Sequence, residues 1–201
     1  LGFYKQEYTD SSILFVHIPK NAGVFFNLAI YGKEHLGHNS ARFLNEYDRE
    51  YFSEKYSFCF SRNPYSRFIS AFNFLKQGGA DVLADPRYIK LVDEFSDIND
   101  FVSNWLAYKD VEKLDYVFRP QTFFVCSASG EFLLDDFFRL EDENFNNVAE
   151  YIYKRTKIEL NFCGQEKNIS RKKEGSDLNM ESKRIIQEKY KKDFEVFGYE
   201  Y

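Results

Sequence analysis

Phe60-Ser61-Arg62-Asn63-Pro64-Tyr65-Ser66-Arg67-Phe68-Ile69-Ser70 is the stretch from which the fold is read. It carries an Arg and a Ser eight residues apart, the first just after an apolar β run and the second on the helix that follows. Pro64 fits the first turn of that helix, where its missing N–H costs nothing. Arg62 leaves the strand end as a rigid five-donor fork suited to a phosphate. Ser70 lies about two turns on, on a face that can turn toward the same point. An earlier stretch, Ile13-Leu-Phe-Val-His-Ile-Pro-Lys-Asn-Ala-Gly23, has the same order of strand, phosphate loop and helix. The helix expected from Val24 offers backbone N–H groups and a positive dipole end, a seat for an anion. Ala22 and Gly23 are small enough for the backbone to come close to it. This loop is not G-x-x-x-x-G-K-[ST]: Lys20 precedes Gly23 and no Ser or Thr follows to hold Mg²⁺, which disfavours an ATP-dependent kinase.

Outward from these two stretches, strands alternate with helices. Strands are expected at Ile13–His17, Tyr56–Ser61, Phe123–Cys126 and Asp136–Leu140. Helices are expected at Val24–Tyr31 with Gly32 beyond its end, Ala41–Lys55, Pro64–Lys76 stopped by Gly78-Gly79, a segment started by Pro86, Asp97–Tyr108, Asp142–Lys157 and Glu181–Phe194. Residues 164–178 read as a polar loop. The pattern predicts an α/β fold with a parallel sheet and helices on both sides. A chain of 201 residues without repeat or low-complexity linker fits one domain, 1–201.

Composition narrows the function. Hydrophobic residues are 44% and aromatics 19%, with 23 Phe and 15 Tyr, which predicts a Phe-rich core with ring–ring packing. A net charge of −5 argues against a nucleic-acid partner, which needs a basic footprint. Three cysteines, at 59, 126 and 163, without a CxxC pair fit a reducing compartment or buried thiols better than a disulfide framework. No run of about 18 apolar residues is present, so no membrane insertion is expected within these residues. His35-x-x-His38 lacks the Cys or acidic ligands that a metal would need, so no metal is expected.

The two phosphate stretches together resemble the carbohydrate sulfotransferases that use 3′-phosphoadenosine 5′-phosphosulfate (PAPS). The likeness continues through Arg119-Pro-Gln121, Phe138-Arg-Leu-Glu141, Asn168-Ile-Ser170-Arg-Lys-Lys and the ending Tyr190 to Tyr199, in the same order as in the family. It implies a P-loop NTPase-like three-layer fold with a central parallel sheet. It implies that Lys20, Asn21, Ala22, Gly23, Val24 and Phe25 grip the 5′-phosphosulfate, with Lys20 also countering charge on the leaving phosphate. Arg62 and Ser70 would grip the 3′-phosphate, and Ser170 and Arg171 would close over the nucleotide. Arg119 and Gln121 would line the acceptor side, and His17, beside the loop, would contribute there. The product would be 3′,5′-ADP. The family usually places Thr and Ser straight after the loop glycine; here those positions are Val24 and Phe25.

A sulfuryl acceptor hydroxyl needs a base working near neutral pH, for which His is best matched. The candidates are His17, His35 and His38. Gly37-His-Asn-Ser-Ala-Arg42 resembles the family's His segment between the two phosphate motifs, so His38 is the expected base. The Glu that some other sulfotransferases carry on the first helix is absent from residues 24–31. The expected activity is thus PAPS-dependent sulfuryl transfer to a hydroxyl, most simply of a carbohydrate. The alternatives are a nucleotide-binding protein of the same fold without turnover and an atypical P-loop kinase. The odd cysteine count leans to the cytoplasm. The family's animal members are Golgi membrane proteins, so the Golgi lumen is expected instead if an anchor precedes Leu1.

Overall fold

The structure is a computed structural model, which describes residues 8, 10–79, 85–141, 144–160, 162 and 177–201. The order of described elements is β1 (Ile13–Phe15), α1 (Gly23–Tyr31), α2 (Ala41–Tyr47), α3 (Arg49–Ser53), β2 (Tyr56–Ser61), α4 (Pro64–Lys76), α5 (Pro86–Asp93), α6 (Ile98–Asn104), two short 3₁₀ turns, α7 (Gln121–Val125), β3 (Asp136–Arg139), α8 (Phe145–Thr156), α9 (Met180–Lys189) and α10 (Lys191–Phe197). The result is a small parallel sheet of three described strands, ordered β1-β2-β3, flanked by helices. The described residues of Leu1–Ser61 and Gln121–Ser170 form one compact unit, those of Arg62–Pro120 and Arg171–Tyr201 a second.

The first unit is built on the sheet. β1 pairs with β2 from Ile13↔Tyr56 to Phe15↔Phe58, and β2 with β3 from Phe58↔Asp136 to Ser61↔Arg139. Alternation along β2 sends Phe58 and Phe60 to one face, where they meet Phe15, Phe26, Phe138, Phe145 and Phe162 in a single cluster. Phe26 of α1 stacks on Phe60 with ring centroids 3.6 Å apart, which fixes the helix over the sheet. At the start of the β2–β3 pairing, the Asp135 carboxylate accepts from the Ser57 amide at 2.7 Å and from its hydroxyl at 2.8 Å.

The second unit gathers α4, α5, α6, α9 and α10 around Phe68, Phe72, Phe101, Phe118 and Phe194. Inside it, buried Arg67 donates through Nη1 to the Arg119 carbonyl at 2.8 Å and interacts with buried Asp193. Burial holds the Arg67 guanidinium below its ordinary pKa, an effect that Asp193 opposes.

Several expectations change: β1 stops at Phe15 rather than His17, and the helix expected over 97–108 ends at Asn104 and gives way to a 3₁₀ turn at Leu106–Tyr108. Residues 123–126 do not form a strand: Phe123, Phe124 and Val125 belong to α7, closed by the Cys126 amide donating to the Thr122 carbonyl at 2.9 Å, and only Cys126 makes a bridge, to Phe132. The helix expected over 41–55 splits at Asp48, whose extended backbone ends α2 while its side chain caps α3 at the Tyr51 amide. The helix expected over 181–194 breaks at Tyr190, whose hydroxyl is drawn to the Phe118 carbonyl at 2.7 Å. The β2 and α4 bounds are as read from sequence, and Cys59 is a fully buried core thiol whose pKa burial raises. Cys163 and the 164–176 part of the polar loop lie outside the described residues.

Candidate active site

β1 ends at Phe15, and Val16 continues toward β2, its amide donating to the Phe58 carbonyl at 2.9 Å. The chain then turns into α1 through two residues in the left-handed region, Lys20 (φ 70°) and Ala22 (φ 56°). Neither is Gly, so the surrounding structure must hold the loop in this shape. Asn21, between them, does so. Its side chain is buried and its Nδ2 donates at 2.7 Å both to the Phe60 carbonyl and to Gln121 Oε1. Gln121, expected on the acceptor side, is fully buried and serves this anchor.

α1 begins without a side-chain cap and without an acidic residue in its first turn. By contrast α2, α3, α4, α5, α6, α8 and α9 each begin with Ser, Asp or Asn accepting from a first-turn amide. The α1 start is therefore electropositive, with first-turn amides that its N-cap residue Ala22 does not cap. Val24 is exposed there, whereas Phe25 turns into the Phe cluster and is spent on the core.

His17 closes over this start. The Cδ2–Nε2 edge of its ring lies where a Cβ on Gly23 would be, 1.7 Å from Cδ2 and 1.9 Å from Nε2, so only Gly fits at position 23. Asn27 is fully buried, and its Nδ2 lies 3.3 Å from the Glu34 carbonyl and 3.4 Å from His17 Nδ1. A carbonyl only accepts, so the amide group must face Glu34; His17 Nδ1 is then the acceptor and its proton sits on Nε2. Burial, with the nearby His38, His35 and Lys20 charges, pushes His17 well below the ordinary imidazole pKa, so the ring is neutral near pH 7.

His38 meets His17 with ring centroids 4.2 Å apart, and its Nδ1 lies 3.2 Å from the His17 carbonyl. That carbonyl also only accepts, so neutral His38 carries its proton on Nδ1 and its lone pair on Nε2. His35 is exposed and close to Glu34, at 3.8 Å. The first unit thus brings together His17, Lys20, Asn21, Ala22, Gly23, His38 and Gln121.

In the second unit Asn63, not singled out from sequence, caps α4: its Oδ1 accepts from the Tyr65 amide at 3.0 Å and the Ser66 amide at 3.4 Å. Its place before a proline at the first helical position was the available signal. Arg62 stands half-buried ahead of the cap, within electrostatic reach of Arg67, and Ser70 is half-buried on α4. Arg119 donates through Nε to the Leu114 carbonyl at 2.8 Å. Ser170 and Arg171 lie outside the described residues. Asn27 was also missed; a lone Asn inside a helix carries no sequence signal of what it faces.

Among the described residues no three His, Cys, Asp or Glu side chains converge, and no helix is long and apolar enough to cross a membrane. Comparison with curated proteins and with solved structures finds no match. A family model described as the sulfotransferase family matches residues 8–200, and the chain belongs to that family.

Proposed function

We propose that the protein transfers a sulfuryl group from PAPS to a hydroxyl, that of a carbohydrate, with His38 as general base. Family membership supports sulfuryl transfer as the class of activity. The observation that carries the finer reading is the pairing of an uncapped α1 start with a histidine whose lone pair is held on Nε2. The residues fit a phosphosulfate: the loop turns at Lys20 and Ala22 into a first helical turn that has no side-chain cap from its N-cap residue and no acidic residue. We read the fold that goes with this as P-loop-like and three-layered, and residues 1–201 as one sulfotransferase domain, because the family match runs through both units.

The roles follow from chemistry. Bound PAPS supplies the sulfuryl group and a phosphate leaving group. Lys20 counters charge that builds on the leaving side, the part of such a transfer where a protein contributes most. The amides of Gly23 and Val24 and the dipole of α1 hold the 5′ end. Arg62 and Ser70 hold the 3′-phosphate, and Ser170 and Arg171, outside the described residues, are assigned to nucleotide binding on the family resemblance. Arg119 stands on the acceptor side, while buried Gln121 acts on the donor side by anchoring the phosphosulfate loop through Asn21. Neutral His38 takes the acceptor proton on Nε2 while Nδ1–H stays on the His17 carbonyl, so the imidazolium formed is stabilised by that carbonyl.

The test is a thermal-shift series on the full chain. 3′,5′-ADP should raise the melting temperature well above the value with 5′-AMP, equivalent to about 2.7 kcal/mol at a hundredfold excess over its dissociation constant. Arg62→Ala should remove most of the difference. Equal shifts from the two nucleotides would overturn the donor assignment. A second reading, a nucleotide-binding protein without turnover, is favoured by one observation: the first turn of α1 has no hydroxyl, with Val24 exposed and Phe25 in the core. Binding of 3′,5′-ADP without any sulfated product across an acceptor panel would select it.

A further inference from the structure

We infer that His17 is a binding donor for the 5′-phosphosulfate: its Nε2–H, held at the first turn of α1 by Asn27, fills the place of the hydroxyl that this turn lacks. The inference rests on the PAPS reading above and names a residue and an atom within it.

Three features of the structure lead there. The first is position. The Cδ2–Nε2 edge lies against Gly23, the first residue of a nine-residue helix with no side-chain cap. The second is protonation state. The Glu34 carbonyl fixes the Asn27 amide, and the Asn27 amide makes His17 Nδ1 an acceptor, so a neutral ring must carry its hydrogen on Nε2. The third is an unanswered donor. His17 is 8% exposed, and among the described residues no acceptor takes up Nε2–H. On a residue that is otherwise buried, a donor at an electropositive helix start is matched by an anionic oxygen from outside.

Backbone constraints agree with the assignment. A side chain at position 23 would collide with the ring, so the loop glycine is required by His17 rather than by its own φ, which is absent from the left-handed set. Position 25 cannot supply a hydroxyl without emptying part of the Phe cluster. That leaves His17 as the side-chain hydrogen-bond donor with a fixed proton at this turn, alongside the ammonium of Lys20. Asn27 touches no ligand in this scheme; it is a positioning residue that acts through the tautomer.

The experiment compares 3′,5′-ADP with 3′-AMP by titration calorimetry on the full chain. The ratio of their affinities reads the contribution of the 5′-phosphate. His17→Leu should lower that ratio about ten- to a hundredfold, the size expected for one hydrogen bond to a charged group. His17→Gln, whose amide can donate from nearly the Nε2 position, should keep most of it. Val24→Thr in the His17→Leu background should recover part of the loss by returning a hydroxyl to the turn. An unchanged ratio in His17→Leu overturns the inference.

Wild-type protein gives a test that needs no variant. Nitrogen-15 magnetic resonance of the histidine rings should show His17 protonated on Nε2 and not on Nδ1. The Nε2–H signal should move when 3′,5′-ADP is added and stay in place with 3′-AMP. A proton on Nδ1, or a signal indifferent to both ligands, overturns the inference while leaving the PAPS reading intact. If wild type shows no preference for 3′,5′-ADP over 5′-AMP, the PAPS reading itself falls and the inference falls with it.

Discussion

Gly23→Ala sets two effects against each other at a single atom. Gly23 has no positive φ, and as a helical residue its replacement by Ala should stabilise by about 0.5–1 kcal/mol through backbone entropy. Its new Cβ, however, would stand 1.7 Å from Cδ2 and 1.9 Å from Nε2 of His17. The ring cannot swing aside at little cost, because it is tied at Nδ1 to Asn27 and packed against His38. Overpacking of this kind costs about 1–3 kcal/mol. The net result should be a loss of about 1–2 kcal/mol, so the contact wins over the propensity. Removing the ring should reverse the sign: in a His17→Ala background, Gly23→Ala should stabilise by up to about 1 kcal/mol. Urea unfolding of wild type, the two single variants and the double variant gives the coupling energy, expected between about 1 and 3 kcal/mol. Additivity within about 0.5 kcal/mol would refute the close approach of His17 to Gly23, and with it the reason given for the glycine.

His38→Asn should lose about 10²–10⁴-fold in turnover, with 3′,5′-ADP affinity near wild type by calorimetry; full activity in this variant would remove His38 as base. Lys20→Ala should leave the melting temperature without ligand nearly unchanged and abolish most transfer, whereas intact turnover would exclude it from the leaving-group side. Acid should destabilise the fold through His17. Its folded pKa is lowered below the ordinary 6.5, so its contribution is fully present above that pH and is lost as pH falls, by at most about 1.4 kcal/mol per unit for one proton. His17→Gln should flatten the stability profile just below pH 6.5, and an unaltered slope would show that the ring is not held neutral. Arg67→Met should cost about 3–5 kcal/mol in chemical denaturation, because it leaves Asp193 buried without its cation, and a change below about 1 kcal/mol would show that the pair is not coupled.

What the sequence disclosed was what depends on local chemistry. Tyr56–Ser61 alternates Phe and small residues before an Asn-Pro helix start, and both β2 and α4 follow from that pattern alone. Gly32 ends α1 in the left-handed conformation, as its position after the apolar run suggests. The misread segment, 123–126, is rich in Phe and Val, which favour strands. There Pro120 was the overlooked signal, since a proline ahead of a short apolar run suits a helix start as well as a strand boundary. The break at Tyr190 had no local signal; what accompanies it is a bond from the Tyr190 hydroxyl to the Phe118 carbonyl, 72 residues away. The loop residues were likewise legible by type and spacing. The proton placements on His17 and His38 were not, because each is set by a carbonyl or amide brought in by the fold.

Asn21 has a consequence for the heat of binding. By fastening the loop to the end of β2 and to Gln121, it lets the two left-handed residues on either side exist before any ligand arrives. An anion seated there would not have to order the chain around it. Calorimetrically, binding at this end should carry little of the large opposing enthalpy and entropy that accompany coupled folding. Its affinity should vary gently with temperature and depend mainly on charge. Rigidity of this kind also narrows what the loop can accept: an anion matched to its amides gains fully, and one of another shape gains little, since the backbone cannot remodel to meet it.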